Sequence, residues 1–206
     1  MAIRAVLIDL DGTLLDTVPD LADAANAMLA ELGRLTLPAD TIRDFVGKGI
    51  PNLVGRCLGY RGESGAPDAV AALAVFKHHY AAVNGRKTRI YPGVLEGLRA
   101  MRGAGLKTAC VTNKAAAFTE QLLAATGLAA LLDMTVSGDT LAEKKPHPLP
   151  FLHIGDSRND VAGARAAGCP VFCVPYGYSE GEDVRDLGAD AIVSTLEEAA
   201  NRLQTV

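Results

Sequence analysis

Four apolar residues, Ala5-Val6-Leu7-Ile8, run straight into Asp9-Leu10-Asp11-Gly12-Thr13. That junction constrains the fold of this chain more than any other stretch. The run is short, partly β-branched and bounded by polar residues, so it predicts a strand buried on both faces of a parallel sheet. Open α/β sheets bind their ligands at the carboxyl ends of strands, where Asp9 and Asp11 fall. Alternate residues of a strand point the same way, so the two carboxylates converge unless the turn at Gly12 swings the second aside. Carboxylates this close repel, and a cation, a shared proton or both must offset that. The alternative is a strand that ends in a solvated acidic turn.

The next seventy residues read as helical. The cluster Asp16-Thr17-Val18-Pro19-Asp20 starts a helix with Leu21, Ala24, Ala25, Met28, Leu29 and Leu32 at helical spacing, closed by Gly33. Residues 36–40 open a second helix with Ile42, Phe45 and Val46 as its apolar face, and residues 66–83 form a third. No strand is expected here. From Arg89 onward strands at 107–112, 134–137, 151–155, 171–174 and 191–193 alternate with helices reaching Ala100 and covering 114–126, 159–167 and 196–203. That alternation predicts an α/β fold, a doubly wound parallel sheet with helices on both faces. Residues 16–86 then form a small helical cap domain inserted after the first strand into a core made of 1–15 and 87–206.

Hydrophobic residues make up 49% of the chain, enough for a sizeable core and against disorder. A net charge of -4 argues against a nucleic-acid or membrane-surface partner. It leaves anionic small molecules open, since a local cation decides those. Cys57, Cys110, Cys169 and Cys173 form no CxxC pair and no metal-ligand pattern, so they are expected to be reduced, structural thiols. The N-terminal apolar run meets Asp9 too soon for a signal peptide, and no window approaches a membrane span. A soluble, cytoplasmic protein is expected, with monomer or homo-oligomer left open.

Three later strand ends also deliver polar residues. Thr112-Asn113 presents a hydroxyl and an amide just ahead of a helix, a natural phosphate seat, although such a pair alone is more often an ordinary N-cap. Lys144-Lys145-Pro146-His147-Pro148 taken alone is a solvated basic loop. Gly155-Asp156-Ser157-Arg158-Asn159-Asp160 puts one acid at a strand end and another in the first helical turn, where the macrodipole favours it. His147 and His153 have no spaced His or Cys partner and read as structural, and Asp139 reads as a turn residue. Were Asp9, Asp11, Asp156 and Asp160 gathered in one cleft, as the family resemblance given next implies, they would demand a hard divalent ion with oxygen ligands, and Mg²⁺ fits best.

Asp9-Leu10-Asp11-Gly12-Thr13-Leu14 resembles motif I of the haloacid dehalogenase-like phosphatases. The resemblance implies that Asp9 is the nucleophile that becomes an aspartyl phosphate and that Asp11 is the general acid/base. Val111-Thr112-Asn113 is similar to motif II, which binds the phosphoryl group. The lysine before Pro146 is similar to the motif III lysine and assigns that role to Lys145. GDSxxD at Asp156 is similar to motif IV, implying Mg²⁺ held by Asp9, the backbone carbonyl of Asp11 and Asp156, with Asp160 in support. The loop Phe45-Val46-Gly47-Lys48-Gly49-Ile50 resembles the specificity loop of the family's phosphoglycolate phosphatase branch, as do His79 to Gly85 and Tyr91 to Val94. Lys48 would then meet the carboxylate of a small phosphorylated acid; the plain alternative is a surface turn. The implied activity is Mg²⁺-dependent hydrolysis of a small phosphomonoester, 2-phosphoglycolate first. A sugar-phosphate mutase, a pyrophosphatase and a non-catalytic phosphometabolite-binding protein are the alternatives. A dehalogenase is disfavoured, because its pattern needs neither Asp11 nor a metal.

One stretch departs from the family pattern. The family carries a helix after the motif III lysine, but only thirteen residues, including Pro146, Pro148 and Pro150, separate Ser137 from Phe151. Either the helix is absent or residues are missing from the sequence here, and the family pattern favours the second. A true deletion predicts an exposed apolar flank and a misplaced Lys145.

Overall fold

The computed structural model describes residues 3–60, 68–149 and 153–203. Its centre is a six-stranded sheet in which all pairings are parallel, in the order β5-β4-β1-β6-β7-β8. The strands are β1 (Ala5–Ile8), β4 (Lys107–Val111), β5 (Met134–Val136), β6 (Ile154–Gly155), β7 (Phe172–Cys173) and β8 (Ala191–Ile192). Register places Leu7 beside Ala109 and Ile8 beside both Cys110 and Ile154, so β1 is an inner strand whose carboxyl end opens between β4 and β6. Val6, Ile8, Cys110 and Ile154 face one side, where they are fully buried against α5 (Val94–Gly103) and α8 (Leu196–Leu203). Val111 and Cys173 face the other, against Val161 and Ala164 of α7 (Arg158–Ala166). Between β4 and β5 the chain forms α6 (Ala116–Ala125).

Before the sheet is completed, the chain makes an excursion through four helices: α1 (Val18–Glu31), α2 (Ala39–Arg43), α3 (Ile50–Gly59) and α4 (Ala69–Val83). They share an apolar cluster of their own, built on Leu21, Met28, Ile42, Leu53, Phe76 and Tyr80. Helix α3 is not anticipated by the sequence reading. Its signals are Pro51 in the first turn, a position proline favours, and Leu53, Val54, Cys57 and Leu58 on a buried face. Helix α2 is shorter than expected. Phe45 and Val46 lie beyond its end but are still buried.

The chain leaves the core through β2 (Leu15–Asp16) and returns through β3 (Arg89–Ile90), which pair antiparallel with Leu15 opposite Ile90 and Asp16 opposite Arg89. No strand was expected at Asp16, because two residues carry no periodic signal. Asp20 fixes the return. Fully buried, it accepts hydrogen bonds from the backbone N–H groups of Gly85, Lys87 and Thr88 and from the Thr88 hydroxyl, at 2.7–3.0 Å.

Among the described residues between β5 and β6, 137–149 and 153, there is no helix. The sheet face there is thinly covered: Leu7 and Val136 are only partly buried and Met134 is 62% exposed. The expected apolar flank therefore exists. The expected displacement of Lys145 does not. The remainder of the strand expected at 151–155, and the start of the helix expected at 66–83, lie outside the described residues. Cys57, Cys110 and Cys173 are buried, Cys169 is partly so, and all four are free thiols. Among the described residues no helix is long and apolar enough to cross a membrane.

Candidate active site

Asp9 continues β1, and its N–H donates to the Ile154 carbonyl, which fixes its carboxylate at the mouth between β1 and β6. Lys145 Nζ reaches it at 2.7 Å and Asp160 Oδ1 at 2.9 Å, and donates also to the Val111 carbonyl at 2.9 Å. The lysine is 3% exposed, so its charge is answered almost entirely by protein. Burial alone would lower its pKa, yet Asp160 and Asp9 hold it above the ordinary value.

Asp156 follows β6. Its Oδ1 accepts from the Thr13 hydroxyl at 2.8 Å and its Oδ2 from the Tyr178 N–H at 2.7 Å. Asp160, one helical turn on, closes a capping box with Ser157 at the start of α7, accepting from the N–H groups of Asp156 and Ser157 and from the Ser157 hydroxyl. Gly12 permits the approach of the two loops: its φ is +92°, and a Cβ there would lie 2.4 Å from Asp156 Oδ2.

Asp9, Asp156 and Asp160 are all buried and offer oxygens within 4.8 Å of one another. Burial, reinforced by Asp160 and Asp156 and opposed by Lys145, raises the Asp9 pKa well above the carboxylate range. Burial and then Asp160 push Asp156 up to about 7, against the hydrogen bonds from Tyr178 and Thr13. One lysine is insufficient for three buried acids, and an oxygen-lined, electron-rich pocket of this kind suits a small hard dication.

The Asp11 carboxylate points elsewhere. It accepts from the Thr17 hydroxyl at 2.6 Å and pairs with Lys114 Nζ at 3.0 and 3.3 Å. Thr112 and Asn113 follow β4, ahead of α6, and line the same cavity as Asp9. They do not cap that helix, which begins at Ala116, whose N–H goes to Asp139. Thr112 Oγ1 accepts from the Lys114 N–H. Asn113 Nδ2 ties the Gly47 carbonyl to that of Lys145, and its buried Oδ1 finds no partner among the described residues. Asp9, Asp11, Thr112, Asn113 and Lys114 form the polar wall of a cavity; Leu21, Val46, Gly47, Gly49, Ile50 and Leu53 form the other wall.

Lys48 is not in that wall. Its ammonium sits 2.6 Å from Glu180, which also takes Asn159 Nδ2 at 3.1 Å and lies 3.7 Å from Arg56. The structure brings Lys114 to the cavity instead. Nothing in its spacing distinguishes it from a surface lysine, apart from its position directly after Thr112-Asn113. Tyr178 was not singled out either, because it is remote in sequence; its hydroxyl accepts from the N–H groups of Thr17 and Val18. His153 Nδ1 accepts from the Leu7 N–H and His147 Nδ1 from that of Leu149.

A family model for haloacid dehalogenase-like hydrolases matches residues 3–154, which span β1, the helical excursion and the strand leading to Asp156. The chain belongs to that family. A second, HAD-hydrolase-like model matches residues 113–199. A phosphoglycolate phosphatase of Nitrosospira multiformis is 51% identical, with 99% of this chain and 97% of the relative covered. One of Thiobacillus denitrificans is 49% identical, with 97% and 95% covered. The first alignment runs to 222 positions against 206 residues, so some of that relative's residues have no counterpart here. A crystal structure of a predicted phosphoglycolate phosphatase from Haemophilus somnus superposes with a TM-score of 0.89 at 28% identity, covering 97% of each chain. The family's hydrolase core and the parallel sheet observed here are therefore the same architecture.

Proposed function

We propose that this chain hydrolyses 2-phosphoglycolate to glycolate and phosphate through an aspartyl phosphate on Asp9. The observation that carries the reading is the buried Asp9 carboxylate, charge-paired with Lys145, gathered with Asp156 and Asp160, and lining a cavity together with Thr112 and Asn113. The names of the relatives at 51% and 49% identity support the substrate. The cavity is compatible with it: its lining sets Leu21, Val46, Ile50 and Leu53 beside the polar residues, which suits a short leaving group.

Asp9 attacks phosphorus in line while Lys145 tempers the charge of both nucleophile and phosphoryl oxygens. The Thr112 hydroxyl and the Asn113 backbone N–H donate to those oxygens and set the approach, while the Asn113 amide holds the Gly47 and Lys145 carbonyls in place, since positioning and charge stabilisation carry most of phosphoryl transfer. Asp11 gives its proton to the leaving oxygen and then takes one from the water that releases phosphate. Asp9, Asp156 and the Asp11 backbone carbonyl would hold Mg²⁺, with Asp160 orienting Asp156. When bound, the ion withdraws charge from the phosphoryl oxygens. In this reading residues 16–86 act as a cap that closes over the reacting centre and excludes water, and the free thiols fit a reducing cytoplasm.

The test is phosphate release from a panel of small phosphorylated metabolites, with Mg²⁺ and with chelator. A clear preference for 2-phosphoglycolate that chelator abolishes is expected, as is no turnover in Asp9→Asn. Comparable kcat/KM across the panel would defeat the substrate assignment, and full activity in Asp9→Asn the reaction.

A further inference from the structure

We infer that Lys114, rather than Lys48, reads the carboxylate of the substrate. The inference rests on the reaction proposed above and adds the specificity determinant. Among the described residues, Lys114 is the only cationic side chain that lines the cavity. Lys48 and Arg56 turn outward to Glu180, and Lys145 lies behind Asp9, bound to Asp9 and Asp160.

The polar wall runs from the nucleophile Asp9 through Asp11 to Lys114, whose ammonium is 3.0 Å from Asp11 Oδ1. A phosphoryl group over Asp9 puts its leaving oxygen beside Asp11. In a phosphorylated two-carbon acid the carboxylate is one methylene further on, which is where Lys114 stands. The apolar side chains opposite, Leu21, Val46, Ile50 and Leu53, offer that carboxylate no charge. A buried anion without a partner is strongly disfavoured, so a leaving group of this chemistry needs this cation.

Lys114 stays charged in spite of its burial: it is 2% exposed, and the Asp11 carboxylate at 3.0 Å, with the Tyr80 ring centroid 5.0 Å away, offsets the lost hydration. An ammonium carries three N–H donors, and pairing with Asp11 leaves capacity for a second carboxylate. The ring comes from α4 and the lysine from the loop after β4, so helical excursion and sheet both contribute to the seat.

The experiment compares kcat/KM for 2-phosphoglycolate with that for ethyl phosphate, a neutral-tailed ester of the same length, in the full-length protein with Mg²⁺. In Lys114→Met and Lys114→Gln both values fall, because Asp11 loses its charged partner. The ratio of the two falls as well, by about five-fold or more, as loss of one charge-assisted contact requires. A smaller drop in the ratio in whichever variant folds overturns the inference, even where absolute activity is low. A wild-type protein with no preference between the two esters defeats the substrate reading itself, and this inference with it. A wild-type preference that survives in the variants defeats this inference alone.

Discussion

Lys145 holds two buried carboxylates apart and together at once. Its ammonium bonds to Asp9 at 2.7 Å and Asp160 at 2.9 Å, and all three side chains are almost wholly enclosed. Removing one partner of such a group leaves uncompensated charge, at a cost of about 3–5 kcal/mol. Lys145→Met is therefore expected to lose stability of that order in urea denaturation at pH 8, besides its activity. Asp156 gives the pH dependence. Its folded pKa of about 7 lies above the ordinary carboxylate value, so the native state keeps a proton that the unfolded chain releases. Without a divalent ion, its contribution to stability is fully present below about pH 4 and is lost as pH rises through 7. Mg²⁺ needs the ionised form, so the rise in Tm on adding Mg²⁺ should grow from about pH 5 to about pH 8. A gain that is flat or shrinks over that range would contradict this assignment. These acids were visible in the sequence, because residue type and strand-end position both marked them. Lys114 was not: it reads as one more lysine near a helix start until the fold turns it onto Asp11.

At the scale of elements, the long-period features were legible and the shortest were not. Strand β1 and helices α1, α4, α5 and α8 follow from apolar spacing. The ribbon of β2 and β3 could not, since each strand has two residues. Helix α3 was hidden behind the glycine-rich stretch Gly47 to Gly49, which reads as loop on both sides of Lys48. Asp20 shows why the return crossing is so well defined. One carboxylate closes four hydrogen bonds to residues 85–88, and Asp20→Ala would leave the two Thr88 donors buried and unmet and the Gly85 and Lys87 N–H groups without their partner. The expected cost is about 3 kcal/mol, read as a shift in urea midpoint together with faster proteolysis near residues 84–88. An unchanged midpoint would mean that the ribbon alone fixes the crossing.

In the whole molecule, polar contacts join the helical excursion to the sheet both near its crossings, where Tyr178 takes the Thr17 and Val18 N–H groups and Asn84 bonds to Phe118 and Gln121, and at its far loop. Glu180, from the loop after β7, gathers Lys48, Arg56 and Asn159, and Asn113 bonds to the Gly47 carbonyl. Lys48 and Arg56 are each more than a third exposed, so each pair is worth only about 0–1 kcal/mol. If residues 16–86 close over the site as proposed, pairs of that strength at the far loop are compatible with reopening at each turnover. Glu180→Ala is expected to raise KM a few-fold, with a smaller change in kcat and a weaker dependence of KM on salt. A fall in kcat alone would mean that Glu180 serves the chemistry and not closure.

Among its described residues the connection between β5 and β6 carries no helix to brace it, yet it delivers its lysine to the right atom. What braces it is the charge itself, helped by the bond from Asn113 to the Lys145 carbonyl. The residue that would do the chemistry is thus also the peg on which its own loop hangs. Selection cannot trade one duty against the other, and an inert version that keeps its shape has to be made at Asp9, not at the peg.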